Sequence, residues 1–92
     1  MIVYAECEFL IPTAQSLKEK RAVLEGMKIR TKQRYNIALA EIDHQNVWQR
    51  TKLSLVTVAA SKQAADREMD RALEHLESNP QWQLLDVYRE YL

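Results

Sequence analysis

Asp43, His44, Gln45, Trp48 and Arg50 hold the densest chemistry in this chain: a carboxylate, an imidazole, an indole and a guanidinium within one short stretch. A histidine beside a carboxylate is raw material for general acid–base catalysis. Adjacent strand residues point to opposite faces, however, so Asp43 is badly placed to orient His44 if a strand runs through both. The spacing fits better a polar turn, His44-Gln45-Asn46, whose His44, Trp48 and Arg50 pack or pair at an edge or interface. The other histidine, His75, falls on the polar side of a helical pattern, and the carboxylates are scattered, so no metal-ligand spacing emerges. Cys7 is alone, which excludes an internal disulfide and any Cys-based zinc or iron–sulfur site within one chain. It alternates with apolar residues and reads as packing rather than as a nucleophile. Gly26 is the single glycine, where phosphate loops and dinucleotide turns need several. These residues predict no catalytic centre, metal, cofactor or small-molecule substrate.

A second cluster is electrostatic. Residues 18–34 hold seven Lys/Arg against two Glu in a chain whose net charge is zero. On a helical wheel Lys18, Arg21, Lys28 and Lys32 share an arc of about 80°, with Glu25 among them and Lys20 nearby inside the apolar face. Lys20 must snorkel from there. Cations crowding a helix N-terminus oppose its dipole, a placement that suits an anion lying across that end. Lys18, Lys20, Arg21, Lys28 and Lys32 are therefore the candidate anion- or RNA-binding residues.

The elements that position these groups follow from periodicity. Residues 2–11 alternate, with Val3, Ala5, Cys7, Phe9 and Ile11 on the core face. After Pro12, Ser16-Leu17-Lys18-Glu19 is a capping box that opens a helix running to about Arg34. Gly26 inside that helix costs about 1 kcal/mol against alanine, without evident purpose. Strand two is Ile37–Asp43 and strand three about Val47–Ala60. Strand three is apolar on both parities, which predicts a central strand covered on both sides. Ser61 caps a second helix to about Ser78, ended by Asn79-Pro80 and bearing an acidic stripe of Asp66, Asp70, Glu74 and Glu77. The last strand is Trp82–Leu92.

Ninety-two residues make one domain, residues 1–92. The order βαββαβ predicts an α+β, ferredoxin-like sandwich: a four-stranded antiparallel sheet in order 4-1-3-2 with two helices on one face. The basic and acidic stripes would then face each other. Ile2, Tyr4, Leu10, Leu84 and Tyr88 would leave an amphipathic open face that a second copy could cover. Tyr4, His44, Trp48, Arg50 and Tyr88 are the candidate interface residues. No apolar run is long enough to span a membrane, and MIVYAECEF lacks the pattern of a signal peptide, so a cytoplasmic protein with no membrane partner is expected.

Three stretches resemble the YlxP-like family of small uncharacterised bacterial proteins: Ala14–Arg21 (AQSLKEKR), Ala40–Gln45 (AEIDHQ) continuing to Trp48-Gln49-Arg50, and Ser78-Asn79-Pro80. The resemblance covers the whole chain. It implies a ferredoxin-like fold, self-association, and a setting near translation, because members are commonly encoded beside initiation and ribosome-maturation factors. It carries no catalytic residues. Two functions are therefore expected. One is a non-enzymatic accessory protein that meets ribosomal RNA or a ribosomal particle through its basic helix. The other is a homo-oligomeric, dimer-forming interaction module with no nucleic-acid role.

Overall fold

A computed structural model describes residues 1–92. Along the chain come β1 (Ile2–Leu10), α1 (Leu17–Arg34), β2 (Ala38–Asp43), β3 (Arg50–Val58), α2 (Lys62–Glu77) and β4 (Gln83–Tyr91). From its β2 edge the antiparallel sheet runs β2-β3-β1-β4; from the β4 edge the same sheet reads 4-1-3-2. Each helix follows a strand, and those strands, β1 and β3, are antiparallel, so α1 and α2 are antiparallel too. They pack against each other on one face: α1 covers β2, and α2 covers β1 and β3.

The alternation of β1 sets the core. Val3, Ala5, Cys7, Phe9 and Ile11 are all buried, against Leu53 and Leu55 of β3 and Ala65, Met69, Ala72 and Leu76 of α2. Trp82 closes one end. Its ring stacks on Phe9 with centroids 4.3 Å apart, and its indole N–H donates to the Leu76 carbonyl. Such a stack contributes about 0.5–1.5 kcal/mol beyond its buried area. Both helices start on serines whose hydroxyls accept the third helical N–H, Ser16 from Glu19 and Ser61 from Ala64, each at 3.1 Å. The reciprocal half of the Ser16 capping box is shifted by one residue: the Glu19 carboxylate accepts from Gln15 N–H rather than from Ser16.

Three expectations fail. β3 is not covered on both sides, since Val56 and Val58 lie exposed on the open face. Leu84 is not on that open face. The β1–β4 register slips between Glu8 and Phe9, Leu85 is left unpaired, and Leu84 comes to sit opposite Phe9 and against the core. The basic and acidic stripes do not meet either. The α1 flank that faces α2 carries Arg34, 3.5 Å from His75, whereas Asp66 and Asp70 of α2 bind Arg89 of β4. Lys18, Arg21, Lys28 and Lys32 lie on the opposite flank of α1, beyond the β2 edge. His75 thus belongs to the helix–helix seam, where burial, then Arg34 and Arg30, push its pKa down.

Gly26 has ordinary helical backbone, and an added Cβ would meet only the flexible, exposed Arg30 guanidinium, at 3.2 Å. Gly26→Ala should therefore stabilise the fold by about 0.5–1 kcal/mol. Thermal unfolding should show a midpoint several degrees higher. A lower midpoint would mean that Arg30 cannot give way.

Candidate functional site

The residues that could carry chemistry gather where the β2–β3 hairpin meets β1 and the start of α1, on both sides of the sheet. Under the sheet, Lys20 is 1% exposed, and its ammonium lies 2.9 Å from the Glu41 carboxylate. It also donates to the backbone carbonyl of His44 and lies 3.5 Å from that of Gln45. The second Glu41 partner is the hydroxyl of buried Thr51, which donates at 2.6 Å. Glu41 reaches this spot because it pairs with Leu53 and so shares the helix-side parity. An ammonium so enclosed is tolerable only with its donors satisfied, and here carboxylate and carbonyl oxygens do this. Lys20 is therefore not a surface anion-binding residue. Its stem follows the apolar arc inward, and its head finds partners under the hairpin instead of water.

Above the sheet, the same hairpin places His44 over β1. His44 has φ of 63°, the left-handed region, and its backbone N–H donates to the Asp43 carboxylate at 2.7 Å. Asp43 thus fixes the turn and does not orient the ring. The ring Nε2 lies 3.3 Å from Glu8, whose other oxygen accepts from Arg50 at 2.7 Å. Two rungs further along, Lys52 is 3.5 Å from Glu6, and Glu6 accepts the Tyr4 hydroxyl proton at 2.6 Å. That bond holds the Tyr4 phenol above its usual range and pulls the Glu6 carboxyl below its own. Glu6 therefore favours the fold above the ordinary carboxylate range, a benefit lost as pH falls. Tyr4 favours it below the ordinary phenol range, a benefit lost as pH rises.

The result is a ladder of opposite charges, Glu8 against Arg50 and His44, then Glu6 against Lys52. His44 meets a carboxylate, but on an open surface with its side chain 26% exposed. A depression on this face, about 400 Å³ and open to solvent, is apolar and lies further along, between Tyr4, Ala38, Ala40, Ser54 and Val56. No cluster of three His, Cys, Asp or Glu residues could hold a metal ion. The ladder can bind by charge, and nothing encloses a substrate beside it. Arg50 is nearly half exposed, so its bridge to Glu8 contributes at most about 1 kcal/mol.

The other sequence-selected residues scatter. Trp48 is exposed in the hairpin loop, away from the ladder, beside a shallow depression lined by Asn46, Val47 and Gln49. Tyr88 lies exposed on the open face opposite Glu6. Lys28 pairs loosely with Glu25 at 3.4 Å, while Lys18, Arg21 and Lys32 are exposed without a carboxylate partner. Cys7 is packed in the core, and burial pushes its thiol pKa up to about 12, far from any nucleophilic use. Sequence reading missed Glu8 and Glu41. Their signal was parity: Glu6 and Glu8 alternate on β1 as Arg50 and Lys52 alternate on β3, but only the register brings them together.

The sequence profile of the family described as "Protein of unknown function (DUF503)" matches residues 2–89. This chain belongs to that family. It is 41% identical over 81 residues to the uncharacterized protein YlxP of Bacillus subtilis (strain 168), covering 88% of each chain. Two solved structures share the fold. The de novo designed protein Foldit4 gives a TM-score of 0.62 at 10% identity, covering 100% of this chain and 99% of that one. The de novo designed protein LFR1 1, described as having a ferredoxin fold, gives 0.61 at 12% identity, covering 100% of this chain and 87% of the other. Likeness to two designed proteins at such low identity shows the fold alone. No helix is long and apolar enough to cross a membrane.

The buried pair carries a stability prediction. Lys20→Met should cost about 2–4 kcal/mol in urea unfolding, because Glu41 and two carbonyls lose their donor. Adding Glu41→Gln should recover much of that loss. If the two costs simply add, the ion pair is not what holds the hairpin down.

Proposed function

We propose that the protein is a non-enzymatic accessory factor that meets ribosomal RNA, free or within a particle, through the outer flank of α1. The observation that carries this reading is that Lys18, Arg21 and Lys32 are exposed on the flank turned away from α2, with no carboxylate spending their charge. The open sheet face is poorly suited to base stacking: Tyr4 is engaged by Glu6, the exposed Tyr88 stands opposite that same carboxylate, and Glu6 and Glu8 stand where phosphate would approach. Contacts from α1 would therefore be to backbone phosphates, which position without reading sequence. Such a factor works in the cytoplasm. With about three phosphates neutralised, the logarithm of affinity should fall with the logarithm of salt with a slope of about −2 to −3. The test is fluorescence anisotropy with a labelled ribosomal RNA fragment. Lys18→Glu, Arg21→Glu and Lys32→Glu together should weaken binding at least tenfold and flatten the slope. Unchanged binding by that variant removes the flank from consideration.

A second reading, a self-associating interaction module, is favoured by apolar exposure on the open face. Ile2, Val56, Val58 and Tyr88 are 38%, 37%, 59% and 52% exposed, a band that two copies could cover about a two-fold axis. Sedimentation at tens of micromolar should then show a dimer that resists salt and is lost in Val58→Lys. A dimer unchanged by Val58→Lys would exclude this face.

A further inference from the structure

The helical layer is displaced sideways from the sheet. Because α1 sits over β2 while α2 sits over β1 and β3, the helix side of β4 is bare. Val87 pairs with Cys7 and Tyr91 with Val3, so both point to the core side. Yet they are 40% and 45% exposed, where Cys7 and Val3 are 1% and 0%. Only polar cover reaches that strip: Arg89 binds Asp66 and Asp70, and the Lys62 ammonium sits 4.6 Å from the centre of the Tyr91 ring.

Charge is sorted in the same direction. The flank of α1 beyond the β2 edge carries Lys18, Arg21, Lys28 and Lys32 around Glu25. The flank of α2 beside the β4 edge carries Asp66, Asp70, Glu74 and Glu77, with Arg89 as counter-charge. The backbone is ready on both sides. Met1 and Ala59 exchange both of their hydrogen bonds, and Leu92 N–H reaches Ile2, which fixes the alternation across the sheet. By that alternation Leu39 and Glu41 turn their N–H and C=O out of the β2 edge, while Val87, Arg89 and Tyr91 do so from β4. The outward Val87 N–H is held meanwhile by the Asp86 carboxylate, at 3.0 Å.

From these placements we propose that the β4 edge of one copy receives the β2 edge of a second copy, in head-to-tail order. Strand directions alternate across the sheet, so β2 is antiparallel to β4, and a copy moved sideways without turning over presents the right strand in the right sense. Its α1 then lies over the bare strip at Val87 and Tyr91, and its cations meet Asp70, Glu74 and Glu77. The contact is heterologous, so it continues until the sheet twist closes a ring or the chain ends. Its strand pairing is short, because β2 is brief and loses register beyond Glu41. The inference stands apart from the polyanion reading, although one α1 flank cannot serve both contacts at once.

The test is sedimentation velocity of the full chain over a concentration series, at low and high salt and without RNA. Two charge-reversed chains are compared: Lys18→Glu/Arg21→Glu/Lys32→Glu on α1, and Asp70→Lys/Glu74→Lys/Glu77→Lys on α2. All six side chains are exposed, and circular dichroism confirms the fold of each variant. The native chain should grow beyond a dimer with concentration and shrink with salt. Each reversed chain should stay monomeric alone, and an equimolar mixture should associate again, because each now carries the complement of the other's edge. Val87→Glu, on the bare strip, should also block growth. A native monomer throughout, a dimer indifferent to salt and to both reversals, or a mixture that stays monomeric would each overturn the proposal. RNA binding is read separately in dilute solution, where the α2-reversed chain retains the native α1 flank.

Discussion

The enclosed contact between Lys20 and Glu41 is the constraint on which the hairpin depends. An ammonium taken out of water is costly unless carboxylate and carbonyl oxygens replace its hydration. Glu41 and the His44 and Gln45 carbonyls do so, and these groups come from the strand and turn that hold the loop in place. One lysine therefore joins the first turn of α1 to a loop 24 positions away. It also sets the path of the chain at His44, and through that path the ring reaches Glu8 on the far side of the sheet. The β1–β3 register sets the Glu8–Arg50 and Glu6–Lys52 rungs of the ladder, and the bond beneath the hairpin adds His44 to it.

The distribution of the remaining charge shows where the chain can make contacts. Catalytic groups work in enclosure, where fixed dipoles act without competing water. Here the imidazole, guanidinium and carboxylates lie on an open sheet face and largely neutralise one another. Among the exposed cations without a carboxylate partner, Lys18, Arg21 and Lys32 share the outer flank of α1, while Asp66, Asp70, Glu74 and Glu77 share the outer flank of α2. A chain with no net charge thus carries opposite charges on two outer helix flanks, which composition alone conceals.

Much of the architecture was legible because it rests on local rules. Alternation identified all four buried residues of β1 and Ile11 just beyond it, and Ser16 and Ser61 marked the helix starts, since a hydroxyl there accepts an otherwise orphaned N–H. What escaped was non-local. Leu84 was assigned to the wrong face because a bulge at Leu85 reverses parity, and a bulge leaves little trace in apolar periodicity. Lys20 looked like a snorkelling surface cation because its partners are a glutamate and two carbonyls from another element. The α1 and α2 stripes were expected to face each other; a helical wheel ranks the faces of one helix but does not say which flank its neighbour takes.

Cys7 illustrates what such packing means for a cell. The thiol sits in one of the two central strands, flanked by Leu53 and Val87, with almost no contact with solvent. Oxidants and alkylating agents meet it only when the sheet itself comes apart. The sulfur therefore cannot act as a sensor of redox state, but it does record excursions from the folded state, and its rate of modification follows how often the whole domain opens.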